Sequence, residues 1–183
     1  VIAVTRGASG ASVKAGAIGM PGTTAVGLGL GRPWFAAVAR AALAALGLAG
    51  ADLEIRLVDD AAMAALNEEF LGCPGPTNVL AFEAGQGGGA DGPAAGHAAG
   101  PQEGPENSPE DGQGGGPRGL GQVALSLPTA RREALLYGQD EPAHCARLLV
   151  HAVLHLAGFD HGEAMEAETE RILPLALAAA GEC

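Results

Sequence analysis

The sequence predicts an α+β fold, a small mixed β-sheet with helices packed on it. Three observations predict it. Short runs of alternating apolar and polar residues are interleaved with longer runs of three- and four-residue apolar spacing. Glycine and proline clusters mark most of the boundaries between those runs. Aromatic residues are only 3 % of the 183 residues although 48 % are hydrophobic, so the core is expected to be small and built on Leu, Val, Ile and Ala.

Taken in order, residues 1–31 are Gly, Ala, Val and Thr without a steady period and are expected to form a poorly ordered N-terminal extension. Arg6 and Lys14 precede a mildly apolar stretch with the outline of a signal peptide, but glycines and Pro21 interrupt it. Residues 32–183 are expected to be a single domain. Pro33 suits a first helical position, and Trp34, Val38, Ala41, Ala42 and Leu46 then share a helical face closed by Gly47 and Gly50. Leu53, Ile55 and Leu57 alternate with Glu54 and Arg56 as in a half-buried strand. Asp59 or Asp60 caps a second helix carrying Met63, Leu66 and Phe70. After the Pro74-Gly75-Pro76 break, residues 77–82 (TNVLAF) read as a second strand.

Residues 83–120 are Gly, Pro, Ala, Gln and acids, which cannot bury enough apolar surface to offset ordering entropy. They are expected to be a flexible insert between two strands, with His97 a bystander inside it. Residues 122–127 resume as a strand, Pro128-Thr129 starts a helix to about Tyr137, and two helices follow over 142–157 and 163–179.

A formal charge of −11 argues against a polyanion-binding surface spread over the whole molecule, although a local basic cleft is compatible with it. Cys73, Cys145 and Cys183 are odd in number and widely spaced, so free thiols in a reducing, cytoplasmic setting are expected, with no cysteine-rich zinc knuckle. No apolar run approaches the ~20 residues of a spanning helix.

The sharpest chemical content lies in HAVLHLAGFDH, residues 151–161. His151 and His155 are one helical turn apart and leave the same face. Gly158 lets the helix end in a bend that returns His161 to the same point. Three neutral imidazoles with a fourth position open for water describe a catalytic zinc site rather than a closed structural one, on a C-terminal helix and the turn after it. Histidines four apart also occur by chance on ordinary helices; the third histidine and the apolar run around all three favour one zinc ion per chain. The spacing matches the zinc protease pattern HExxHxxGxxH, yet Ala152 stands where the general base Glu belongs. A methyl group accepts no proton, so peptidase chemistry is not expected.

HAVLHLAGFDH resembles the HGxLHLxGxDH signature of the YbeY family of metal-dependent endoribonucleases. The resemblance continues through LVDD (57–60), LNEEF (66–70), PTNVLAF (76–82) and GQVALSL (121–127). It implies that His151, His155 and His161 are metal ligands, with His151 also counted as catalytic. It further implies single-strand-specific cleavage of ribosomal RNA precursors at the 16S 3′ end, a part in ribosome quality control, and the small ribosomal subunit as partner; neither DNA nor a membrane is expected. The chain departs from the family pattern at Leu71, where an arginine is usual, at Gln122, where an acid is usual, and at Ala81, where a serine is usual.

Around the histidines, Arg131, Arg132 and Arg147 are candidates for RNA phosphates or ordinary surface charges. Asp160 either orients a ligand imidazole or caps the last helix. His144, seven residues before His151, either lines the cleft or sits at the surface. Thr77 and Asn78 either shape the site or serve the turn. Two other readings remain open: a non-catalytic, zinc-containing ribosome assembly factor, and a metal hydrolase of another substrate.

Overall fold

The computed structural model describes residues 2–6, 30–84 and 119–181. Their order is β1 (Ile2–Arg6), α1 (Arg32–Ala45), β2 (Asp52–Val58), α2 (Asp60–Leu71), β3 (Val79–Glu83), β4 (Gly119–Ser126), α3 (Leu127–Leu136), α4 (Glu141–Leu156) and α5 (Glu163–Gly181). The strands form one sheet ordered β1-β2-β4-β3. β1, β2 and β4 run parallel, and β3 pairs antiparallel with β4 as an edge strand. The fold is thus α+β, as the sequence predicts.

β1 corrects the reading of the N-terminus. Residues 2–6 are not part of a poorly ordered extension: Ile2 pairs with Leu53 and Arg6 with Leu57. The β-branched run IAVTR suits an edge strand, but its pairing partner lies about fifty residues away, beyond the reach of local periodicity. Residues 7–29 and 85–118, with His97 and most of the expected insert, lie outside the described residues, as does Cys183. The insert's ends are fixed, because β3 and β4 form a hairpin pinned where Ala84 N–H donates to the Leu120 carbonyl at 3.2 Å.

Two apolar layers sandwich the sheet. Leu53, Ile55, Leu57, Val123 and Leu125 point to the larger one and meet α1, α4 and α5. Val58, Phe82 and Ala124 point to the smaller one, closed by Met63 of α2. Phe70 meets Phe82 edge-on with ring centroids 5.3 Å apart. Within α1 the fully buried residues are Phe35, Val38, Ala39, Ala42 and Leu43, while Trp34, Ala41 and the capping Leu46 just past its end are half-buried at the margin. The face is therefore rotated from the expected one, because α1 is packed against α4 and α5 as well as β1.

The motif segments explain much of the scaffold. Asp59 caps α2, its Oδ1 accepting from Ala62 N–H at 2.8 Å. Asp60 ties α2 to α3: Oδ1 accepts from Ser126 Oγ at 2.7 Å and Thr129 Oγ1 at 2.8 Å, and Oδ2 accepts from Arg132 at 2.6 Å. These bonds, led by the Arg132 guanidinium, lower the Asp60 carboxyl to about 2. Asn67 is buried and donates to the Cys73 and Gly75 carbonyls at 3.2 and 2.9 Å, fixing the loop that leads into β3. Gly121 is obligatory: its φ is +146°, and a Cβ there would lie 2.1 Å from the Phe82 carbonyl oxygen.

Candidate metal centre

α4 is the helix that builds the site. Leu149, Val150, Val153 and Leu154 are fully buried, each contributing about 1.5–3 kcal/mol by leaving water. That burial fixes the helix rotation, leaving His151 and His155 half-buried on the opposite face. The helix then ends in a Schellman motif. Phe159 N–H donates to the Leu154 carbonyl at 3.0 Å, and Gly158 N–H donates to the His155 carbonyl at 2.9 Å. Gly158 has φ +88°, and the resulting reversal returns His161 over the end of α4.

The three imidazoles converge through Nε2. His155 Nε2 lies 3.2 Å from His151 Nε2 and 3.2 Å from His161 Nε2. The three ligand atoms all fall within 4.8 Å of one another. Nitrogens at ~2.0–2.1 Å around a tetrahedral zinc are about 3.3 Å apart, so the two edges at His155 match that spacing. Burial, then repulsion from the neighbouring imidazoles, lowers the His151 pKa. His155 is lowered by burial and His161, against smaller opposing effects of the Phe159 backbone and Asp160. Neutral rings are the form that donates a lone pair to a metal, so the donor set fits a divalent cation.

The imidazoles open into a cavity of about 1140 Å³. Its walls come from β3, α4, the turn after α4, and α5. Apolar residues, among them Leu80, Leu148 and Phe159, contribute to the lining, as does Leu71, which is 46 % exposed.

The other candidates separate clearly. Arg147 lines the cavity and pairs with Glu170 at 2.7 Å. Arg131 and Arg132 do not line it: Arg131 pairs with Glu141 at 2.6 Å, and Arg132 belongs to the Asp60 network. Asp160 is in the cavity wall and acts on His155 through its charge, without a hydrogen bond to an imidazole or to the start of α5 among the described residues. His144 is neither in the cleft nor at the surface. It is buried, with Nδ1 2.7 Å from Gln139 Oε1 and Nε2 3.1 Å from Glu133 Oε2. Asn78 lines the cavity and is held there by Glu133, to which it donates at 3.0 Å. Thr77 is half-buried and lies outside the cavity lining.

Two features escaped the sequence. Glu133 fastens Asn78 from α3, and Glu170 reaches into the cavity from α5. Both are single acids on helices with no local signal of a partner. Cys145 offers no ligand: burial first, then Glu141, pushes its thiol up to about 12.

An α+β fold whose penultimate helix and following turn gather three imidazoles at a cavity describes a class of protein with a histidine triad that could hold a metal ion. The family model described as Endoribonuclease YbeY matches residues 31–174. A relative from Nitratidesulfovibrio vulgaris, named Endoribonuclease YbeY, is 45 % identical over 134 residues, covering 73 % of this chain and 77 % of the relative. One of the same name from Oleidesulfovibrio alaskensis is 40 % identical over 134 residues, covering 73 % and 76 %. This chain belongs to the YbeY endoribonuclease family. A solution structure from Thermotoga maritima shares the fold with a TM-score of 0.54 at 14 % identity, covering all of this chain and 93 % of the other.

Proposed function

We propose that this chain is a zinc-dependent, single-strand-specific endoribonuclease that matures the 3′ end of 16S ribosomal RNA and serves ribosome quality control. The observation that carries the reading is the pair of 3.2 Å Nε2 contacts at the wall of an open cavity, in a member of an endoribonuclease family. His151, His155 and His161 would hold one zinc per chain, and His151 is counted as catalytic for that reason. Zinc supplies Lewis acidity toward a phosphodiester without needing a carboxylate beside the first histidine.

The chain's own residues do the rest. Ala152 accepts no proton, and Asp160, exposed in the wall, favours positive charge at His155. Leu80, Leu148 and Phe159 give the cavity apolar lining against which unstacked bases can rest. Precursor ribosomal RNA and the small ribosomal subunit are the proposed partners. The domain is taken as 32–183, together with β1, with the insert narrowed from the expected 83–120 to 84–118 because Glu83 belongs to β3 and Gly119 opens β4. A cytoplasmic location is supported by free Cys73 and Cys145. No helix of the described residues is long and apolar enough to cross a membrane.

One observation favours a second reading, a non-catalytic zinc-containing ribosome assembly factor: Leu71 lines the cavity where the family pattern carries arginine. The test is cleavage of single-stranded small-subunit precursor RNA by zinc-loaded protein, beside His151→Ala and Leu71→Arg. The endoribonuclease reading expects cleavage by the wild type, its loss in His151→Ala, and faster cleavage in Leu71→Arg. Binding to ribosomal particles without any cleavage would establish the second reading instead.

A further inference from the structure

Arg147 is the one Lys or Arg side chain lining the cavity among the described residues, whereas Glu83, Asp160, Glu166 and Glu170 line it as acids. A nucleic acid strand approaching this cavity therefore meets mostly like charge. Arg147 is also in register with the imidazoles: residues 147, 151 and 155 follow at four-residue spacing along α4, a rise of about 6 Å each. Its guanidinium donates from Nη1 to Glu170 Oε1 at 2.7 Å, across the gap between α4 and α5.

The pair is built to exchange. Its side chains are 44 % and 68 % exposed, and such a bridge holds weakly because water competes with both partners. Arg132, by contrast, is shared between Asp60 and Thr129 and is committed to the scaffold. A guanidinium takes a carboxylate or a phosphate with the same two-pronged geometry. We infer that Glu170 occupies the place of an RNA phosphate on Arg147, so that substrate docks by displacing this carboxylate. Glu170 thereby weakens productive binding, and Arg147 positions the strand one helical turn from the imidazoles. The inference rests on the endoribonuclease reading above.

The test is cleavage kinetics on a single-stranded RNA oligonucleotide, together with binding of its 2′-O-methyl analogue at several salt concentrations. The zinc-loaded full chain is compared with Arg147→Gln, Arg147→Lys, Glu170→Gln and the Arg147→Gln/Glu170→Gln double variant. Loss of one charge-assisted contact should raise KM roughly 10- to 100-fold in Arg147→Gln, with kcat much less affected. Its binding should also lose about 0.7 from the slope of log K against log salt. Arg147→Lys should recover part of the loss.

Glu170→Gln should lower KM about 2- to 5-fold, and that gain should vanish in the double variant. A gain of equal size in the double variant would mean that Glu170 merely repels RNA, overturning the exchange. Unchanged KM in Arg147→Gln, with wild-type cleavage intact, would overturn it while leaving the ribonuclease reading standing. A wild type that holds zinc but neither binds nor cleaves RNA would overturn both.

Discussion

Two ends of one helix carry histidines under opposite regimes. At the start of α4, His144 is buried and both ring nitrogens have protein partners, Gln139 and Glu133. Two turns on, His151 and His155 are half-buried, and their Nε2 atoms face one another and His161. A histidine satisfied by an amide and a carboxylate is part of the packing. Imidazoles whose Nε2 atoms meet one another are repelled when charged and are stabilised by a shared cation. The difference lies in what neighbouring elements offer: α3 brings Glu133 to the first end, and the Schellman turn brings a third imidazole to the second.

The contrast breaks most visibly with His151→Ala. Metal affinity should fall on the order of 100-fold or more, since loss of mere outer contacts already costs 10- to 100-fold. Thermal unfolding of the metal-free protein should stay nearly unchanged, as calorimetry with and without chelator would show. Next comes His144→Ala, which should show the reverse pattern. It removes two hydrogen bonds from a buried network and should cost about 1–3 kcal/mol in urea unfolding, with zinc content unaltered. If His144→Ala lost zinc while His151→Ala lost stability, the division of α4 would be wrong.

A smaller effect separates scaffold from site by pH. Asp60 titrates at about 2 in the fold, below its ordinary value. Its stabilisation is therefore complete above about pH 4 and is lost as pH falls toward 2. The shift alone corresponds to roughly 2 kcal/mol. With the carboxylate 34 % exposed, about 1 kcal/mol is expected after screening. Urea titrations from pH 5 to pH 2 should show a shallower loss in Asp60→Asn than in the wild type, and identical slopes would remove Asp60 from the account. Smallest is Asp160→Asn. With charge as its one influence on His155, zinc affinity should drop by no more than about threefold by competition with a chelating dye. A drop beyond tenfold would give Asp160 a direct hold on an imidazole.

The sequence made the site far more legible than its surroundings. His151, His155, Gly158 and His161 are close in the chain, so helix pitch and one αL glycine place them together. A cap at Asp59 or Asp60 was readable for the same reason, since a cap bonds three residues ahead, and the structure assigns it to Asp59. What escaped is non-local. β1 gains its meaning from β2, His144 from Glu133, and Arg132 from Asp60, which is 72 positions away. Arg131, Arg132 and Arg147 look alike in the chain, yet their helices aim only Arg147 into the cavity.

The most direct test of the claim that one end of α4 is a metal centre is X-ray absorption at the zinc edge of the zinc-loaded chain. The geometry predicts three imidazole nitrogens and one further oxygen or nitrogen neighbour at about 2.0–2.1 Å. A sulfur shell at about 2.3 Å, or fewer than three imidazoles, would contradict it.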